Sequence, residues 1–245
     1  MAQDNWRFCN KCNALHFNGG PQICDAGGQH QRQGFIFHLD FDPQNDRPDT
    51  PTTQSKWRFC NKCSCMFFQG AAPRDRRCAA GGSHEEQGFH FMLPINRIGG
   101  PVLNPETRTA QGAWQFCGKC TTMFFDGFPA KGRCPADGQG HQALGDTFVL
   151  PHDNSPSITL VDEGLRVRAD GRGFVPEDTV DIAFEFKVIQ SDGPSTFHPG
   201  SGQARSDIDG NFNFEFSFGT SQTANSIAVK ATDPVTTLSA SGQLR

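Results

Sequence analysis

Tyrosine is absent from this 245-residue chain and methionine is scarce at 4, whereas phenylalanine reaches 23. Aromatic positions able to hold a hydroxyl hold only a ring. No apolar run of 18 residues occurs, which excludes a transmembrane helix. A basic excess is also missing: the formal net charge is −4, and the one basic cluster is Arg74-Asp-Arg76-Arg77. Residues 57–113 hold seven basic and four acidic side chains, and residues 155–245 hold seven and twelve. No groove tracking a nucleic acid is therefore expected. The start, Met1-Ala-Gln-Asp-Asn-Trp6, has neither the basic n-region nor the apolar h-region of a secretory signal. Cysteine disappears after position 134, so the two parts of the chain are built differently.

The first part is a repeat, and repeats decide the fold before any single motif does. Trp6-Arg-Phe-Cys9-Asn-Lys-Cys12 returns as Trp57-Arg-Phe-Cys60-Asn-Lys-Cys63 and as Trp114-Gln-Phe-Cys117-Gly-Lys-Cys120. Each knuckle is followed by one more cysteine and a histidine, giving the sets Cys9/Cys12/Cys24/His30, Cys60/Cys63/Cys78/His84 and Cys117/Cys120/Cys134/His141. Three thiolates and an imidazole make a complete tetrahedral zinc shell, so three structural Zn2+ ions are expected. Disulfides are the competing use of ten cysteines, but three per repeat cannot all pair within it, and pairing leaves the recurring histidines unexplained. His16, His38, His90, His152 and His198 do not recur and are expected at the surface or in packing. Cys65 aligns with Ala14 and Thr122 and is expected to be a small buried thiol, not a ligand. The third copy departs from the others in Asp137 and in one extra residue before His141.

Alternating aromatic runs between glycines predict short strands, three to a repeat. A unit of roughly 34 residues is too small to fold on its own core, which leaves metal binding as the source of its stability. The motif W-x-[FW]-C-x-K-C followed by C-x-A-G-G-x-H resembles a tandem zinc-ribbon-like repeat of bacterial and some fungal proteins, often beside secreted lectin-like or hydrolytic domains. The resemblance covers about residues 6–39, 57–93 and 114–150. It implies an accessory module and no reaction.

From about Ser155 onward, period-two strands alternate with Gly, Asp and Pro turns, which predicts a β-sandwich. The order Gly171-Arg-Gly-Phe-Val-Pro, Ser206-Asp-Ile-Asp-Gly-Asn-Phe212 and Val229-Lys-Ala-Thr-Asp233 resembles bacterial immunoglobulin-like domains. Asp207-Ile-Asp-Gly-Asn211 begins like a calcium loop, but Phe212 and Phe218 stand where an EF-hand needs Gly and Glu, so a hairpin turn is expected. The expected architecture is all-β: three tandem zinc-ribbon-like modules (1–40, 57–93 and 114–152) joined by extended linkers (41–56 and 94–113), then an immunoglobulin-like β-sandwich (155–245).

Closed metal shells and the lack of a catalytic constellation argue against an enzyme. The expectation is a zinc-stabilised, non-catalytic binding protein, extracellular or surface-associated, that recognises a glycan or cell surface multivalently. The alternative is a structural subunit that packs with itself or with other subunits of a larger assembly. Trp6, Trp57 and Trp114, the only tryptophans, serve the first as stacking platforms; as mini-core rings they fit the second. A nucleic-acid partner is not expected.

Overall fold

The computed structural model describes all residues except 45–46, 73–75, 153–155, 165, 176, 189–195, 208–209, 218–223, 235–238 and 245. Arg74 and Asp75 of the basic cluster, and Ile208 and Asp209 of the calcium-like loop, lie outside the described residues. Among the described residues every element is a strand, sixteen in all, so the all-β expectation holds. Among the described residues no helix is long and apolar enough to cross a membrane. The chain divides into two compact units, Met1–Asp153 and Asn154–Arg245.

In the first unit each repeat supplies a long strand, a three-residue strand and a second long strand. These are β1 (Ala2–Cys9), β2 (Leu15–Phe17) and β3 (Arg32–Asp42); β4 (Thr53–Cys60), β5 (Met66–Phe68) and β6 (Glu86–Asn96); and β7 (Ala110–Cys117), β8 (Met123–Phe125) and β9 (Ala143–Pro151). Within a repeat the first strand pairs antiparallel with both others. One extra residue precedes each tryptophan, at Asn5, Lys56 and Ala113, all with left-handed φ of 59–70°. The resulting bulge shifts the register and turns the indole inward.

The repeats are not separate modules. Phe41 of β3 pairs with Phe91 of β6, Ile95 of β6 pairs with Phe148 of β9, and a bridge from His152 to Phe37 returns to β3. At the short strands a second ring closes in the same order: Phe17 N–H donates to the Ser64 carbonyl, Phe68 to Thr121 and Phe125 to Asn13, at 2.9 Å each. The acceptors Ser64, Thr121 and Asn13 all have φ of 60–69°, which aims their carbonyls across the repeat boundary. The strand ends expected to be linker therefore carry the pairing between repeats. The remaining connection is pinned in turn, since Asn104 Nδ2 donates to the Thr52 and Ile95 carbonyls at 3.0 and 2.7 Å.

The indoles explain why the ring closes. Trp6 meets Phe17 of its own repeat and Phe59 and Phe91 of the next; Trp57 meets Phe68, then Phe116 and Phe148; Trp114 meets Phe125, then Phe8 and Phe37. Centroids lie 5.1–6.4 Å apart, mostly edge to face, which is the favoured aromatic geometry. All three indoles are 0% exposed. The stacking-platform role is thus overturned for Trp6, Trp57 and Trp114: each fills a slot that its own repeat and the next build together.

The second unit packs two antiparallel sheets. One has the order β10 (Ser157–Asp162), β11 (Arg166–Arg172), β14 (Phe212–Ser217); the other has β13 (Thr196–Arg205), β12 (Thr179–Val188), β15 (Ala224–Thr232), β16 (Ser239–Leu244). Inward residues of both sheets, among them Val167, Ala169, Phe216, Ile182, Val229 and Ala231, form its core. This is the two-sheet sandwich that the alternation predicts.

Two outcomes follow from the ring. Cys63→Ser is expected to abolish the whole Met1–Asp153 transition in calorimetry, while a separate transition from the sandwich survives; a surviving partial transition of the first and third repeats would restore independent modules. His152 stacks on Phe35 at 3.7 Å, and burial, aided by His38, lowers its pKa from 6.5 to about 4. A depressed histidine contributes stability that is complete above pH 6.5 and is lost as pH falls toward 4. His152→Phe is therefore expected to flatten the decline in thermal midpoint between pH 6.5 and 4 relative to wild type.

Candidate metal centres

Each centre is assembled from a knuckle at the end of a long strand and a loop that precedes the repeat's last strand. In the knuckle Cys9 N–H donates to the Ala14 carbonyl and Asn13 N–H to the Cys9 carbonyl, with the same pair of bonds at Cys60 and Cys117. In the loop Cys24 N–H donates to the Gly28 carbonyl and Gly27 N–H to that of Cys24, and Cys78 with Gly82 and Gly81 repeats the turn. Gly27 and Gly81 have φ of 95° and 90°, a conformation that a side chain resists. The third loop absorbs its extra residue by widening: Cys134 N–H reaches the Gln139 carbonyl.

The four donor atoms of each expected set lie within 4.8 Å of one another, and the third set is as complete as the others. Cys9–Cys24, Cys60–Cys78 and Cys117–Cys134 sulfurs are 3.8, 3.9 and 3.9 Å apart. Nδ1 of His30, His84 and His141 lies 3.6, 3.5 and 3.5 Å from the sulfur of Cys12, Cys63 and Cys120. A tetrahedral shell with metal–sulfur bonds of about 2.3 Å and metal–nitrogen bonds of about 2.0–2.1 Å has edges of about 3.8 and about 3.6 Å. The clusters thus have the size of metal shells, while a disulfide requires about 2.0 Å. All ten thiols are free and buried.

The crowded donors also shift one another's protonation. Hydrogen bonds from Cys12 and then Cys24 hold the Cys9 thiol far below its ordinary pKa, and Cys60 and Cys117 are lowered by their neighbours likewise. The partners move upward: Cys12 and Cys78 rise strongly against the adjacent thiols, and Cys134 is raised to about 11, chiefly by Cys117. Burial pulls His30 down, but its bonds to Cys24 and Cys9 outweigh burial and raise it to about 9. Cys9, Cys60 and Cys117 are thus favoured as thiolates, and a divalent cation would stabilise the ionised form of Cys12, Cys63, Cys78, Cys120 and Cys134, whose neighbours oppose it.

The lysine inside each knuckle has a role that its recurrence signalled without revealing. Lys62 Nζ donates to the Gly81 and Ser83 carbonyls at 2.7 and 3.1 Å, and Lys11 grips Gly27 and Gln29 in the same way. Lys119 instead meets the Asp137 carboxylate at 2.8 and 3.0 Å and the Gly140 carbonyl at 2.6 Å, so the departure in the third repeat has its own lysine contact. The ligand histidines are covered on one face by His16, Phe67 and Phe124, with centroids 4.4, 4.8 and 4.9 Å away. Cys65 is no ligand of its own repeat but touches His30. Of the other non-ligand histidines, His16 and His152 are buried.

Away from the metal centres the second repeat carries a cleft of about 830 Å³. Ser55, His90 and Met92 from the strands line it together with Arg47, Asp49 and Arg76 from connections. Asp49 is occupied by Ser55 N–H and Oγ–H, both at 2.7 Å, and Asp42 by the Arg47 N–H at 2.9 Å. Lys56, exposed on its left-handed bulge, and Arg76 add cationic ends to the lining.

No protein-family profile matches the chain, and neither a curated protein nor a solved structure matches it.

Lys62→Met is expected to leave the four ligands in place yet free the Gly81 and Ser83 carbonyls. Chelator-driven metal loss from the second centre should quicken roughly tenfold, the lower end for residues that support metal ligands; an unchanged rate would show the lysine to be idle.

Proposed function

We propose that the chain is a non-catalytic binding protein held together by three structural zinc ions, and that it recognises a glycan or a cell surface through the cleft of its second repeat. The observation that carries the proposal is that each buried shell takes all four donors from protein, while a separate polar cleft stands on the same unit. Catalytic zinc keeps a position for water, so filled shells support a structural role. Thiolate and imidazole donors at tetrahedral spacing suit zinc best among the common divalent ions. Exposed Lys56, beside Arg76 held by the Ala71 and Gln69 carbonyls and Arg47 held by Asp42, suits a ligand rich in hydroxyls and negative charge, such as an acidic glycan. The strand order of the second unit supports the immunoglobulin-like sandwich of surface proteins, and with it an extracellular or surface-associated location.

Recognition on this view does not come from three equal repeats. Lys56, His90 and Met92 are replaced by Asn5, Ile36 and His38 in the first repeat and by Ala113, Thr147 and Val149 in the third. Multivalency therefore needs several chains. The structural alternative has its own support: Ile98, Val102 and Leu103, on the connection after β6, are 79%, 70% and 47% exposed, an apolar edge suited to a second subunit.

Metal analysis is expected to give three zinc ions per chain, with the nine ligand thiols protected until chelator is added. On an acidic-glycan surface at low salt the protein is expected to bind, and Lys56→Glu to bind roughly tenfold more weakly, about the effect of one lost charge-assisted contact. Absence of glycan binding, together with a large particle that Ile98→Asp disperses, would establish the assembly instead.

A further inference from the structure

A histidine that binds metal through Nδ1 keeps a proton on Nε2, and in a protein interior that N–H needs an acceptor. The ring supplies one from the following repeat. His30 Nε2 lies 3.0 Å from the Cys63 carbonyl and 3.5 Å from Cys65 Sγ. His84 Nε2 lies 3.2 Å from Thr122 Oγ1. Cys65 and Thr122 hold the same position, two residues beyond the second knuckle cysteine. The cyclic order sends His141 to the first repeat, where that position is Ala14, and His141 Nε2 is buried with no hydrogen-bond partner among the described residues. The Cys12 carbonyl, counterpart of the Cys63 acceptor, is crowded by Gly132 of the third repeat: a Cβ there would meet the Cys12 oxygen at 2.2 Å. Ala14, Cys65 and Thr122 line one small cavity with all three ligand histidines, so the three positions share a common setting.

We infer that the residue at positions 14, 65 and 122 positions the ligand histidine of the preceding repeat, and that alanine at position 14 makes the third ion, at Cys117/Cys120/Cys134/His141, the first to be released. The acceptor fixes the ring's tautomer and orientation and strengthens Nδ1 as a donor to the metal; supporting residues of this kind are worth roughly 10- to 100-fold in metal affinity. His141 has the stack on Phe124 but not the hydrogen bond. The inference rests on the proposal that the shells hold zinc, and it assigns the ions unequal lifetimes within one ring.

The test is limited chelation of the full chain with simultaneous thiol alkylation and peptide mapping, which identifies each centre by its own cysteines. Cys117, Cys120 and Cys134 are expected to label first, roughly tenfold sooner than the other ligand thiols. Ala14→Thr, which copies the Thr122 arrangement, is expected to slow that labelling to the pace of the other centres. Ala14→Val has the same shape without the acceptor and should not. In reciprocal fashion Thr122→Val is expected to hasten labelling of Cys60, Cys63 and Cys78. If loss of the third ion opens the whole ring, so that all nine ligand thiols label at one rate, that rate is set by the third centre and should fall with Ala14→Thr and not with Ala14→Val. Earlier labelling of another centre, equal protection by Thr and Val, or indifference to both overturns the inference. Protein that holds no zinc on purification would instead fail the zinc proposal itself, before any of these rates is compared.

Discussion

A repeat of roughly 34 residues owns an indole larger than it can cover. Every other feature of the first unit answers that shortage. The bulge before each tryptophan turns the ring inward, and the slot it enters is finished by two phenylalanines of the next repeat. A linear array would leave the last indole half covered. Three repeats in a ring leave none, since Trp114 returns to Phe8 and Phe37 of the first.

The metal centres serve the same closure. Their ligands come from single repeats, but the elements that steady them do not: the histidines of the first two centres lean on residues of the following repeat, and the short strands that cover the imidazoles are bonded across the boundaries. Packing around each cluster and packing between repeats are consequently coupled, and whatever loosens a loop around one cluster is felt in the neighbouring core. Asp25 and Arg133 add a further link from first to third repeat, 3.2 Å apart.

Much of this was legible in the sequence, for identifiable reasons. Metal ligands advertise themselves because their chemistry is specific and their spacing recurs, so all twelve named ligands are the residues that converge. Period-two patterning marked the strands. Closure was not legible, because repetition is equally consistent with a string and with a ring; what distinguishes them is a set of backbone bonds accepted by the carbonyls of residues such as Ser64 and Asn13, whose identities vary. The tryptophans stayed divided between platform and core for the same reason: an invariant ring signals demand for a large aromatic without saying which repeat encloses it. Cys65 looked incidental beside Ala14 and Thr122, although the difference among those three residues is the informative signal. The cleft draws on connections that no repeat shares.

The ring is closed by contacts far apart in the chain, as when Asn13 Nδ2 donates to the Ala130 carbonyl across 117 residues. A nascent chain therefore cannot finish its first repeat when that repeat emerges. Phe8 and Phe37 wait for Trp114, with apolar surface and reactive thiols uncovered for as long as translation takes to deliver the third copy. Folding of the unit is thus timed by its C-terminal repeat, with high contact order imposed on small local motifs.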